Sequence, residues 1–314
     1  MRKAFILRIK LLMEEIMSSI RKVVPEIYSG KKIREFLKED VGLSTRIIRS
    51  ASLDKRIKVD DQPVKMNFKL GEGQVVFIDL DKEETQNIEP QDIPIDKVYE
   101  DEDILVVNKR PFMTVHPTRS HPDGTLANAV MHYYKNSGQN CIVRLVSRLD
   151  MNTSGLLILG KNQFAHMQLS KEMKTDKFIK RYLAIVHGHF EEESGTINLP
   201  IYRPLEDRIK RVVDERGQES ITHYKVVERL KDADLVECVL ETGRTHQIRV
   251  HLSHLGHPIF GDTLYGEEFD DSSVIERQAL HAYGLDFESP RTRKSLSLRV
   301  SLPQDMEELK ERLK

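Results

Sequence analysis

Residues 144–160 read RLVSRLDMNTSGLLILG. Within them, Arg148-Leu149-Asp150 sets an aspartate two residues after an arginine, at a loop. Thr153-Ser154-Gly155 then leads into the apolar run Leu156-Leu157-Ile158-Leu159, closed by Gly160, which predicts a buried strand. A carboxylate held at the edge of such a strand, beside fixed positive charge, is positioned either to attack or to bind.

The chain around this segment has 314 residues, 39% of them hydrophobic and 32% charged, which suits one large domain plus a small one in a soluble class. No apolar run approaches the length of a membrane span, so no membrane partner is expected. Cys141 and Cys238 are the two cysteines and form no CxxC pair. That argues against a disulfide framework or a cysteine zinc site, and it fits a cytoplasmic location. Residues 1–16, MRKAFILRIKLLMEEI, are broken by Arg8 and Lys10 and precede no small-residue cleavage site. They read as an upstream extension of one or two helical turns, with Met13 and Met17 as alternative starts.

The net charge of −1 is unevenly spread. Residues 1–80 carry 17 Lys and Arg against 11 Asp and Glu, while residues 81–103 carry 2 Lys against 10 Asp and Glu. A basic module over 17–80 is thus followed by an acidic linker over 81–100, in which Pro90 and Pro94 favour an extended connector. Inside the basic module, Ile33, Phe36 and Leu37 have helical spacing, and Ser44 is placed to cap a second short helix. Ile57-Lys58-Val59 and Val64-Lys65-Met66 flank Asp60-Asp61-Gln62-Pro63 as a hairpin, and Val75–Ile78 is a last strand. From residue 101 strands alternate with helices: strands at 104–107, 156–159, 182–186 and 235–240, helices at 126–134 and 164–173. Residues 306–314 read as a C-terminal tail.

Four blocks could build a site: Asn108-Lys109 with Val115-His116-Pro117; Arg148–Gly155; Lys180-Arg181-Tyr182-Leu183-Ala184; and Gly243-Arg244-Thr245-His246-Gln247-Ile248-Arg249-Val250-His251. Each alone is weak, because a paired Asp and Arg are commonly structural. A Ser-His-Asp hydrolase using Ser147 or Ser154 lacks a nucleophile elbow. The histidines 246, 251, 254 and 257 fit no standard zinc spacing, so no metal site is expected.

In order and spacing, RLDxxTSG, KxYLA and GRTHQIRVH, with Gly256-His257-Pro258, Gly261-Asp262 and Leu280-His281-Ala282, resemble the RluA-type pseudouridine synthases over about residues 31–300. The order of elements before residue 80 resembles the S-four RNA-binding domain. The resemblance implies an α+β catalytic domain over 101–305, with a mixed, largely antiparallel sheet and a central RNA cleft. A small N-terminal α+β RNA-binding domain would precede it.

The implied reaction converts uridine in RNA to pseudouridine: the N-glycosidic bond breaks, the base rotates, and a carbon–carbon glycosidic bond forms. No cofactor or metal is implied. Asp150 matches the essential aspartate, which attacks the sugar, attacks the base, or takes a ribose proton to give a glycal. Whichever it does, the carboxylate must be ionised, which a nearby cation favours. Arg249 matches the arginine that pairs with it. Tyr182 matches the tyrosine that stacks on the target base, a job suited to a flat apolar face with a polar tip. Arg148 matches the arginine that fills the space left by the extruded nucleotide. Leu285 falls where the family has an apolar pocket residue. In the small domain, Arg46, Arg49, Lys55 and Arg56 match the RNA-facing positions.

Three departures stand near these blocks: Ser147 where the family often has His, Arg110-Pro111-Phe112 in place of Pro-x-Gly, and Ser289 in place of a frequent His. In the small domain, Lys55 and Asp60-Asp61 occupy turns that usually carry Gly and Asn-Gly. The expected partner is 23S ribosomal RNA and the expected state a monomer. Transfer RNA is the other substrate to consider, and a catalytically silent RNA-binding protein is the reading from another class.

Overall fold

The computed structural model describes residues 19–80, 86–204 and 209–314. The extension at 1–16 and the start of the acidic linker lie outside the described residues.

The N-terminal module runs β1 (Ser19–Val23), α1 (Ile33–Glu39), α2 (Thr45–Leu53), β2 (Ile57–Val59), β3 (Gln62–Pro63) and β4 (Val75–Asp79), with sheet order β1-β4-β2-β3. Ile33, Phe36 and Leu37 are fully buried on one face of α1, as their spacing predicts. Ser44 caps α2, its side chain accepting from the Ile47 N–H at 3.3 Å. The hairpin is tighter than expected. Its return strand starts at Gln62, opposite Val59, and not at Val64. Asp60 and Asp61 both have positive φ, 48° and 63°, the geometry of a two-residue primed turn. Asp60 compensates with its carboxylate, which accepts from the Val75 N–H and from Gln74 Nε2, each at 2.9 Å. Lys55 also holds positive φ (56°) at its glycine-like turn, as does Phe112 (58°) where the Pro-x-Gly glycine would stand. The departures therefore change the residues and keep the backbone.

The larger sheet has ten strands among the described residues. Its path is β10 (Ser194–Asn198), β13 (Ile221–Leu230), β14 (Ala233–Leu240), β9 (Ile179–His187), β15 (Leu280–Glu288), β8 (Ser154–Gly160), β6 (Ile104–Lys109) and β5 (Asp96–Glu100). β16 (Ser295–Arg299) pairs with β15, and β7 (Arg144–Leu145) with β8. The β15–β8 pair is parallel and its neighbours antiparallel, so the sheet is mixed and largely antiparallel. Every residue of β8 is buried. Leu157 and Leu159 pack with α3 (Leu126–Asn136), while Leu156 and Ile158 pack with Ala165 and Leu169 of α4 (Gln163–Glu172) on the opposite face. A continuous apolar run is what a strand covered on both faces requires. A separate two-stranded ribbon, β11 (Ile201–Tyr202) with β12 (Val212–Val213), stands beside α5 (Gln247–His254).

Two boundaries differ from the sequence reading. Asp96–Glu100, at the end of the acidic stretch, pairs with β6 as the sheet edge; the extended connector is confined to what precedes it. The C-terminal segment is helical, α6 (Gln304–Arg312), and buries Met306 and Leu309 completely in the core formed by β9, β14 and β15. Two apolar side chains three residues apart suffice to dock one helical face.

Candidate active site

Asp150 sits in the loop between β7 and β8, and the loop is gripped through its backbone. The buried Lys109 ammonium donates to the carbonyls of Met151 (2.9 Å), Met113 (3.0 Å) and Arg110 (2.9 Å). Arg277, also buried, donates to the Asn152 carbonyl at 3.1 Å while its other edge is clamped by Asp305 at 2.6 and 2.8 Å. Gln278 donates to Thr153 Oγ1 at 3.2 Å, and the Thr153 N–H returns to the Asp150 carbonyl at 3.2 Å. Gly155 is required by the crossing behind this loop: a Cβ there would lie 2.3 Å from the Ala282 carbonyl oxygen of β15.

The side chain of Asp150 meets Arg249. Nη1 of Arg249 donates to Asp150 Oδ2 at 3.2 Å, while Nε and Nη2 form a bidentate pair with Asp262 at 2.6 and 2.7 Å. Asp262 is itself fully buried and accepts from the Leu264 and Tyr265 N–H groups. One edge of the guanidinium is thus anchored and the other presented to Asp150. Burial works against the Arg249 charge, but its hydrogen bonds to Asp262 overcome this and raise its pKa. Arg249 lies on α5, so the pair joins a helix to the β7–β8 loop.

His246 caps that helix in the left-handed conformation (φ 59°). Its Nε2 is 3.8 Å from Asp150 Oδ2, and its Nδ1 is 3.0 Å from the Tyr265 hydroxyl. Burial depresses the His246 pKa, with Asp150 pulling the other way. Tyr265 also places its ring under the Arg249 guanidinium, 5.0 Å from the ring centre.

Tyr182, on β9, lines the same crevice as Asp150, Arg249 and Arg148, with Leu149, Leu240 and Leu280 as its apolar wall. Burial raises the Tyr182 hydroxyl pKa, and the Asp150 charge adds to the rise. The crevice opens into a cleft of about 840 Å³ reached by His116 and Lys180. Arg148 is exposed at the mouth.

Other expected residues are placed differently. Leu285 is buried among Ile104, Leu156, Phe178 and Phe287, in a core separate from the crevice; Leu280 is the β15 leucine that reaches it. Arg46, Arg49 and Lys55 are exposed on the N-terminal module. Arg56 is held inside that module, donating to Asp54 (3.2 Å), to Ser50 (3.3 Å) and to the Asp79 carbonyl (2.8 Å). Ser154 is buried in the sheet and bonded to His281 Nδ1 at 2.9 Å, away from the crevice. Three of the four histidines have separate partners: His246 meets Tyr265, His251 meets Thr222 and the Leu199 carbonyl, and His257 the His187 carbonyl. Among the described residues no three His, Cys, Asp or Glu side chains are placed to hold a metal ion.

Residues 103–254 match the RNA pseudouridylate synthase family model. An uncharacterised RNA pseudouridine synthase of Bacillus subtilis, YjbO, is 38% identical over 279 residues, spanning 88% of this chain and 97% of that one. The chain belongs to the RNA pseudouridine synthase family. The ribosomal large subunit pseudouridine synthase D of Buchnera aphidicola subsp. Schizaphis graminum is 39% identical over 264 residues, covering 80% of this chain and 82% of that protein. In structure, human RNA pseudouridylate synthase domain containing 1 aligns with a TM-score of 0.56 at 30% identity, covering 66% of this chain and 83% of that one. The pseudouridine synthase fold and the enzyme class follow: the protein is an isomerase that converts uridine in RNA to pseudouridine.

The sequence assigns no role to Asp262, Arg277, Gln278 or Tyr265, whereas Lys109, offered there within a possible site block, supports the site by holding the Asp150 loop. One signal for Asp262 was its preceding glycine. Gly261 has φ 73°, and a Cβ there would lie 2.2 Å from the Arg277 carbonyl oxygen, so that turn tolerates no side chain.

Proposed function

We propose that this synthase modifies large-subunit (23S) ribosomal RNA in the cytoplasm, with Asp150 as the reacting carboxylate. The observation that carries the catalytic part is the convergence of Asp150, Arg249 and Tyr182 in one crevice, with Arg249 Nη1 at 3.2 Å from Asp150 Oδ2. Arg249 occupies Oδ2, and Oδ1 takes no hydrogen bond among the described residues, so Oδ1 is the oxygen open to substrate. Attack on C1′, attack on the base and removal of a ribose proton all use that oxygen. Tyr182 supplies the ring on which the uracil stacks. Once C5 has taken over the bond to C1′, the proton on C5 must leave and one must appear on N1; the Tyr182 hydroxyl is placed to relay that proton, and its raised pKa keeps the phenol neutral before and after the transfer.

Arg148, at the mouth, takes the place in the stack left by the extruded nucleotide. Arg46, Arg49 and Lys55 are the RNA-facing cations of the N-terminal module; Arg56 is assigned to holding its turn. Support for the ribosomal target comes from relatives named ribosomal large subunit pseudouridine synthase D, which match over about four-fifths of this chain.

Pseudouridine mapping in total RNA from a deletion strain tests both parts. The strain is expected to lack pseudouridine at positions in 23S RNA, restored by the wild-type gene and not by Asp150→Ala. Restoration by Asp150→Ala ends the role given to Asp150. Loss confined to transfer RNA ends the ribosomal assignment.

A further inference from the structure

Lys180 stands two residues before Tyr182 on β9, and alternation along a strand puts both side chains on one face. Both line the cleft of about 840 Å³ into which the crevice opens. Arg181, between them, points to the other face, where Asp286 meets it at 3.0 Å and Glu237 at 3.6 Å. Lys180 has no such match. Burial lowers its pKa, and no hydrogen bond or neighbouring charge among the described residues acts on it. The two acids that share the cleft wall are engaged elsewhere. Asp150 is held by Arg249, and Glu241 Oε1 lies 2.6 Å from His223 Nε2.

The end of the side chain rests against bare backbone. A Cβ at Gly243 would lie 3.2 Å from Lys180 Nζ, so the glycine of the Gly243-Arg244-Thr245 turn leaves room for the ammonium at the cleft wall. A half-buried ammonium with no counter-charge costs stability in the free protein and calls for an anion in the complex. Uracil and ribose offer only neutral oxygens, and the anionic group of RNA is the phosphate. Two residues of strand advance about 6.6 Å. A nucleotide whose base lies on Tyr182 therefore brings its own backbone within reach of the Lys180 stem.

We infer that Lys180 grips one of the two phosphates flanking the target uridine and so fixes the ribose against Asp150. The inference rests on the reading that the uracil stacks on Tyr182 beside Asp150.

The test uses synthetic RNA hairpins cut from whichever RNA loses a pseudouridine in the deletion strain. One carries natural phosphates, one a neutral methylphosphonate 5′ to the target uridine, and one the same group 3′ to it. With the natural hairpin, Lys180→Met is expected to raise KM about tenfold with kcat little changed, since the contact is present before and during the reaction. With one of the two methylphosphonate hairpins, wild type and Lys180→Met should have the same KM, because the partner is already gone. The urea midpoint of Lys180→Met should rise, as removing an unmatched ammonium relieves the free protein. An unchanged KM on the natural hairpin overturns the inference. So does a KM rise of equal size on all three hairpins with a lowered urea midpoint, which marks a structural lysine. A fall in kcat with a displaced alkaline limb of the pH–rate profile also overturns it, by making Lys180 a proton carrier. Asp150→Ala is assayed alongside. If it turns over, the role given to Asp150 fails, while the match between Lys180 and one phosphate is still read from KM.

Discussion

The N-terminal module and the Asp150 crevice both rely on charged side chains, and they use them in opposite ways. On the module, Arg46, Arg49 and Lys55 stand in solvent. The Arg56–Asp54 pair leaves Asp54 nearly half exposed, and such a pair contributes about 1 kcal/mol or less. Behind the crevice, Asp262, Lys109 and Arg277 are buried, and each is matched by two or more partners. Exposed charge can be redistributed at small cost. Buried charge cannot be cut on one side without leaving the other side uncompensated. The exposed charges of the module can therefore be rearranged, while the crevice is held to one geometry.

Asp262→Asn puts this contrast under the greatest load. It removes the charge that anchors Arg249 while keeping the volume. About 3–5 kcal/mol of stability should be lost, the range for breaking one side of a buried pair. kcat should fall with KM little changed, because the side chain touches Arg249 and not the RNA. A urea midpoint displaced by less than about 1 kcal/mol would place this pair with the surface pairs of the module and dissolve the distinction.

The same contrast explains what could be read from the chain. That Asp150, Tyr182 and Arg249 share one crevice is legible in the sequence because each lies inside a long, specific motif. Asp262 and Arg277 were harder, since their work depends on partners 13 and 28 residues away that no local pattern names. Leu285 lies five residues along β15 from Leu280, beyond the bulge between His281 and Gly284, and there it packs with Phe178 and Phe287, not against the crevice. The terminal helix was missed because QDMEELKER is mostly polar, and its two anchors, Met306 and Leu309, look incidental until they are seen at zero exposure. The acidic stretch was misread at its end because edge strands tolerate the charges that central strands exclude.

Phe164 tests the comparison from the other direction, since it ties the two regions together. It belongs to α4 of the catalytic part, yet it is buried in the core of the N-terminal module, with Met167 packed beside it. Gln168 adds a hydrogen bond to the Gly42 carbonyl at 3.3 Å, and Arg291 joins the Ser19 carbonyl to Asp103. The module is thus docked by one aromatic anchor with a polar rim. Phe164→Ala should cost about 3 kcal/mol or more, the usual range for emptying a buried aromatic site. The loss should fall mainly on the module, with amide exchange accelerating in α1 and β4 before β8. Uniform acceleration across both regions would mean that they unfold as one unit.

A further test concerns the crevice alone. Burial, with Arg277 nearby, pulls the Lys109 ammonium from 10.5 down to about 7. Between those values the unfolded chain keeps the Lys109 proton and the folded chain releases it. Stability contributed by this site therefore rises with pH across the window, by at most about 1.4 kcal/mol per pH unit. Lys109→Met has no proton to release. The urea-midpoint advantage of wild type over the variant should accordingly grow between pH 7 and 10. A shrinking advantage would carry the opposite meaning: that the carbonyls of Arg110, Met113 and Met151 hold the ammonium more strongly than burial expels it. In that case the Asp150 loop is clamped by a permanent cation, and its rigidity should persist into alkaline solution.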